Sequence, residues 1–205
     1  MPDNAVVHVI DDDDALRDSL SFLFASADIP VETYPSAVAF LEALPGIGTG
    51  CVVTDIRMPE MNGMDLLRHL RASGSALQVI VMTGHGDVPL AVEAMRLGAA
   101  DFLEKPFDDE ALIASVRRAI DHQKATEQDH AARGEIRRKI ESLSARERQV
   151  LDGLVAGNPN KRIAHELGIS PRTVEIYRAN LMTKMQAGSL SELVRMVLLT
   201  DPPPA

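Results

Sequence analysis

What the chain lacks narrows it first. It has one cysteine in 205 residues, which excludes an internal disulfide. That residue, Cys51, sits in the apolar run 51–54 and reads as a small core hydrophobe. The six histidines show no metal-ligand spacing. No apolar run approaches the roughly 18 residues of a membrane span, and Met1-Pro2-Asp3 does not open a basic-plus-apolar leader. A soluble cytoplasmic protein with no membrane partner is expected. Gly46, Gly48 and Gly50 precede a strand-like run instead of joining strand to helix, and no Lys-Ser/Thr follows, so they read as loop and not as a nucleotide cradle. Positive charge is scarce in one half only. Residues 1–123 carry 8 Lys/Arg against 20 Asp/Glu, and residues 124–205 carry 13 against 10. An acidic first half argues against nucleic acid there, while the mildly basic second half permits phosphate-backbone contact.

The chain is apolar enough to bury cores, with 45% of its residues hydrophobic, and its length suits one medium and one small domain. In the first half, short β-branched runs alternate with amphipathic stretches five times. Strands are expected at 6–10, 31–34, 51–54, 78–82 and 101–103, and helices at 15–27, 36–44, 64–72, 89–97 and from 108 onward, with Asp87 as a cap-like start before Pro89. Such a chain forms an open parallel sheet whose strands share one carboxyl edge. That edge collects Asp11 and Asp12 after the first strand, Asp55 after the third, Thr83 after the fourth and Lys105 after the fifth. Carboxylates crowded together resist full ionisation, and a hard divalent cation with oxygen ligands is the usual reason to assemble them. The crevice therefore reads as a site for Mg²⁺ and phosphate. Residues 121–139 are polar and rich in helix formers, and read as a helical linker continuing the fifth helix.

The second half is helical by its signals. Ser144-Ala145-Arg146-Glu147 and Ser189-Leu190-Ser191-Glu192 are capping boxes, and Gly157, Gly168 and Gly188 read as helix ends. A short helix over 161–167, the turn Gly168-Ile169-Ser170 and a helix opened by Pro171 have the proportions of a helix-turn-helix, with a packing-only helical hairpin as the bland alternative. In the second helix Val174, Tyr177, Leu181 and Met185 form the inward stripe. The opposite face carries Arg172, Ile176, Ala179 and Thr183, flanked by Thr173, Glu175, Arg178, Asn180 and Lys184. Small apolar groups there suit thymine methyls, Asn suits adenine, and the basic side chains suit phosphates or bases; Glu175 opposes the backbone unless it accepts from cytosine.

These residues resemble a known architecture over nearly the whole chain. Asp11-Asp12, Asp55-Ile56-Arg57-Met58-Pro59, Thr83-Gly84 and Lys105-Pro106 are in register with response-regulator receivers. Segments 143–151, 160–164 and 168–175 are similar to LuxR-type helix-turn-helix domains. Thr83-Gly84-His85-Gly86-Asp87-Val88-Pro89 and Asp101-Phe102-Leu103-Glu104-Lys105-Pro106-Phe107 narrow the resemblance to the FixJ group. It implies an α/β receiver over 1–122, a doubly wound (βα)5 flavodoxin-like sheet of order 2-1-3-4-5. A helical linker over 123–139 and an all-α, four-helix DNA-binding domain over 140–205 would follow.

By the same resemblance Asp55 is the phosphoacceptor; Asp12, Asp55 and the backbone carbonyl of Arg57 ligate Mg²⁺, and Asp11 acts mainly through a water. Lys105 neutralises phosphoryl charge, Thr83 binds the new phosphate, and Phe102 turns inward as Thr83 moves, without the hydroxyl of the commoner tyrosine. Asp13 and Asp14 read as capping and solvation of the first helix. The implied partners are a haem-containing, oxygen-regulated sensor histidine kinase of the FixL kind, promoter DNA at nitrogen-fixation genes, RNA polymerase, and a second copy of the phosphorylated chain. No metabolic reaction is implied, only the receiver's own phosphotransfer and dephosphorylation. Regulation of another pathway, DNA binding independent of phosphorylation, and an aspartate-nucleophile phosphatase remain as alternatives.

Overall fold

A computed structural model describes residues 5–84 and 88–200, so the expected helix start at Asp87 lies outside the described residues. The chain divides into two compact units, 1–126 and 127–205.

The first unit runs β1 (Val6–Ile10), α1 (Asp14–Ser26), β2 (Val31–Tyr34), α2 (Ala37–Ala43), a 3₁₀ turn (Leu44–Gly46), β3 (Gly50–Asp55), α3 (Gly63–Ala72), β4 (Gln78–Thr83), α4 (Val88–Arg96), β5 (Asp101–Glu104) and α5 (Asp109–Glu141). The five strands pair in parallel in the order β2-β1-β3-β4-β5. Helices cover both faces, so the middle strands are apolar continuously instead of alternating, and all six residues of β3 are buried. Phe40, Leu66, Leu67 and Leu70 pack one face, and Leu20, Phe24, Leu112 and Val116 the other. Each fully buried Leu or Phe contributes about 1.5–3 kcal/mol by leaving water. Between β1 and β3 the strand order reverses, and this switch point opens a crevice at the carboxyl edge.

Two glycines hold this layout by having no side chain. A Cβ on Gly63 would lie 2.2 Å from the Asp55 carbonyl oxygen, and one on Gly50 2.2 Å from that of Val6. Gly50 is thus the first residue of β3, correcting its reading as loop. The linker stretch is helical and continuous with α5, which runs unbroken for 33 residues.

The second unit holds the end of α5 and then α6 (Ala145–Val155), α7 (Asn160–Leu167), α8 (Pro171–Met185) and α9 (Leu190–Thr200). Ser144 and Glu147 form the expected capping box on α6. Gly168 ends α7 at φ 65°, Ser170 caps α8, and Pro171 fills its first turn. The end of α8 differs from expectation. Gln186, not Gly188, takes the left-handed conformation (φ 56°), and the Gly188 N–H donates to the Glu192 carboxylate ahead of α9.

Candidate functional site

The crevice is built by strand ends. Asp11 follows β1 and is buried, Asp55 closes β3, Thr83 closes β4 and is buried, and Lys105 follows β5. The β3–β4 register sets Asp55 beside Met82, one residue before Thr83. Lys105 Nζ donates to Asp11 Oδ2 at 2.8 Å and to Asp55 Oδ1 at 2.6 Å, joining residues 94 and 50 positions apart. The other Asp55 oxygen, Oδ2, accepts from the Arg57 N–H at 2.5 Å. Burial works against the Lys105 ammonium, but its bonds to Asp11 and Asp55 outweigh that and hold its pKa above the ordinary value. The side chain is therefore a fixed cation at neutral pH.

The other predicted positions are less gathered. Asp12 is exposed and makes no hydrogen bond or ion pair. Asp13 caps α1 by accepting from Ala15 and Leu16, as expected of it. Phe102 is half-buried and already packs against the core on the α3 side of the sheet. Asp11, Asp12, Asp55 and Lys105 together carry a net charge of −2, which one divalent cation balances. All donors are oxygens, which suits a hard ion. Among the described residues no ready-made cluster of three or more ligating side chains exists.

In the second unit, α8 presents the predicted face. Val174, Leu181 and Met185 are buried and Tyr177 is half-buried, while Arg172, Glu175, Ile176, Ala179, Asn180 and Thr183 are exposed, Ile176 at 57%. Arg178 and Thr173 are half-buried, and the Thr173 hydroxyl lies 2.8 Å from that of Ser170 within the cap. Lys184 differs from these exposed residues in its bonding: its Nζ donates to Glu147 Oε2 at 2.8 Å. The same oxygen accepts from the Ser144 N–H and hydroxyl, each at 2.8 Å. The Lys184 bond first, and the two from Ser144 after it, hold the Glu147 carboxyl down to about 2. Glu147 is itself buried. It ties α8 to α6, a role that its place in a capping box did not reveal.

Two family models match the chain, the response regulator receiver domain over residues 7–117 and the LuxR family of bacterial regulatory proteins over residues 141–197. The transcriptional regulatory protein FixJ of Azorhizobium caulinodans is 59% identical over 205 residues, covering 100% of this chain and 97% of that protein. The chain belongs to the FixJ group of response regulators. Full-length FixJ from B. japonicum superposes with a TM-score of 0.62 at 54% identity, covering 97% of this chain and 98% of that one. The response regulator StyR gives 0.83 at 38%, covering 94% and 98%. As a FixJ-group regulator the chain is a two-component transcriptional regulator, with a sensor kinase and DNA as its partner classes. Receivers of this family generally depend on Mg²⁺. Among the described residues no helix is long and apolar enough to cross a membrane.

Proposed function

We propose that Asp55 accepts a phosphoryl group from a kinase histidine and that this controls DNA binding by α8. The carrying observation is the Lys105 ammonium fixed on Asp55 Oδ1 at 2.6 Å beside buried Asp11 and Thr83. An Asp55 oxygen forms the new O–P bond as the P–N bond to the donor imidazole breaks, and the imidazole nitrogen keeps the electron pair. Lys105, already charged and in place, offsets charge on the phosphoryl oxygens without reorganising. Mg²⁺, held by Asp12, Asp55 and the Arg57 carbonyl with Asp11 through a water, would supply further charge neutralisation there. The Thr83 hydroxyl would bond the product phosphate, and its shift would draw Phe102 further inward.

Phosphorylation adds roughly −1.5 to −2 charges. Moving a two-state balance from 1:99 to 99:1 needs about 5.5 kcal/mol, so pairing of two receivers contributes alongside the phosphate. The α4 surface supports that role, with Val88, Val92 and Met95 exposed. At the DNA, Arg172, Thr173, Glu175, Ile176, Arg178, Ala179, Asn180 and Thr183 form the reading face. Lys184 joins the phosphate contacts only if it leaves Glu147. Similarity to FixJ supports activation of nitrogen-fixation promoters with RNA polymerase, a FixL-like kinase as phosphodonor, and a cytoplasmic setting. The domain limits 1–122, 123–139 and 140–205 belong to the same reading.

The test is binding to fragments of the source genome, with and without acetyl phosphate and Mg²⁺, for the parent and Asp55→Asn. Phosphodonor-dependent binding that the variant loses is expected. Equal binding in all four conditions would put phosphorylation-independent regulation in its place.

A further inference from the structure

We infer that Arg17 is a positioning residue for the cation site, acting through the peptide that joins Asp11 to Asp12; this rests on the reading of that site given above. Arg17 lies in α1, with its side chain only 13% exposed. One arm of the guanidinium donates to the backbone carbonyl of Asp11 at 2.6 Å, and the other pairs with the Asp14 carboxylate. Asp12 has no side-chain partner of its own, so the rest of the molecule controls only the direction of its Cα–Cβ bond, from which the carboxylate reaches by its own rotations. The plane of the Asp11–Asp12 peptide is one determinant of that direction, and the carbonyl of that peptide is the one Arg17 holds. The remaining bonds of Asp11 fix other atoms. Its N–H donates to the Tyr34 carbonyl at 3.3 Å, and its carboxylate takes the Asp13 N–H and Lys105. None of these restrains rotation of the following peptide as directly.

Two effects of removing Arg17 oppose one another, and their signs differ. A guanidinium near a cation repels it, so charge alone predicts tighter Mg²⁺ binding without Arg17. The loss of the carbonyl anchor predicts weaker binding. Pairing with Asp14 already offsets much of the Arg17 charge, so geometry dominates. Removing a partner that orients a metal ligand typically weakens affinity about 10–100-fold.

The experiment is calorimetric titration of Mg²⁺ alone into the full chain, with no phosphodonor, for the parent, Arg17→Met, Arg17→Lys and Asp14→Asn. Arg17→Met is expected to weaken binding at least about tenfold. Arg17→Lys, which keeps the charge and can reach the carbonyl with one donor, should recover part of the loss. Asp14→Asn keeps the carbonyl bond but unmasks the Arg17 charge, so it should weaken binding less than Arg17→Met does. If Arg17→Met fails to fold, Arg17→Lys takes its place, and a loss in Asp14→Asn at least as large as in the Arg17 variant would place the effect on the charge of the acidic run and overturn the role given to the carbonyl. Parent-like or tighter binding by folded Arg17→Met overturns the inference while leaving the phosphoacceptor reading intact. Absence of Mg²⁺ binding by the parent would overturn both.

Discussion

Replacing Gly63 by alanine should damage the receiver through the backbone carbonyl of Asp55. Gly63 opens α3, and its N–H donates to the Ile56 carbonyl at 3.0 Å, so the helix start and the end of β3 are tied together. An added methyl would stand 2.2 Å from the Asp55 carbonyl oxygen, 3.0 Å from its carbon and 3.2 Å from Thr54 Cγ2. An ordinary contact there is about a full ångström longer than the first of these. The nearest group is backbone in a fully buried strand, so no flexible side chain can move aside. Overpacking a core by one carbon typically costs about 1–3 kcal/mol, and a backbone clash belongs at the upper end. An outcome of about 3 kcal/mol by urea unfolding of the full chain is expected, followed through the transition of the first unit. Relief must shift Asp55 or α3, and a displacement of about 1 Å at a reacting group can cost on the order of 100-fold in rate. Labelling by acetyl phosphate, scored by mass spectrometry under conditions where the variant is folded, should slow by that order. A Gly63→Ala protein with parent stability and parent labelling rate would refute the reasoning, because it would mean that the β3–α3 junction yields freely.

Two further outcomes concern pH. His8 is buried on β1, neither ring nitrogen has a hydrogen-bond partner, and burial lowers its pKa more than Glu32, 3.6 Å away, raises it. The unfolded chain therefore takes up this proton first, so the stability of the first unit should be full above about pH 6.5 and fall as pH drops below it. Urea midpoints at pH 7.5 and 5.5 should differ for the parent and differ less for His8→Met; equal pH dependence in the two would remove His8 as the cause. In the second unit Glu147 is held at about 2, below its ordinary 4.5, so its contribution is present above pH 4.5 and lost as pH falls towards 2. Lys184→Met should be less stable than the parent at pH 7 and converge on it near pH 2 in thermal melts followed by helical circular dichroism; a constant gap across that range would show that the Lys184–Glu147 bond carries none of it.

The sheet and its chemical edge were legible because they rest on local signals. β-branched runs such as Val6–Ile10 and Gln78–Thr83 mark strands, and a polar residue just beyond each run lands on the shared carboxyl edge. The helix-turn-helix was readable for the same reason, since Gly168, Ser170 and Pro171 act within one turn of themselves. What escaped notice depends on tertiary approach. Arg17 bonds to a backbone carbonyl, an acceptor that every residue offers, so no pattern of side chains announces it. The Lys184–Glu147 bond joins helices whose crossing no sequence spacing encodes. Gln186 took the left-handed cap although a glycine stood two residues away, because Ala187 is buried and its N–H returns to the Met182 carbonyl, which fixes the end of α8 earlier. Gly50 looked like a loop residue, and only the nearness of Val6 shows that it is a close-packing position, as the nearness of Asp55 does for Gly63.

The solitary Cys51 gives the protein a clock. It is wholly buried in β3, the strand that ends in Asp55, and burial pushes its thiol pKa well above the ordinary range. Only the thiolate reacts with alkylating reagents, and only when reagent can reach it. In the native state neither condition holds, so modification waits for β3 to open. The rate at which one thiol per chain is consumed under native conditions thus counts openings of the strand that ends in Asp55, with no tag or added chromophore. Cations, phosphodonors or substitutions that tighten the crevice can each be ranked by how far they slow it.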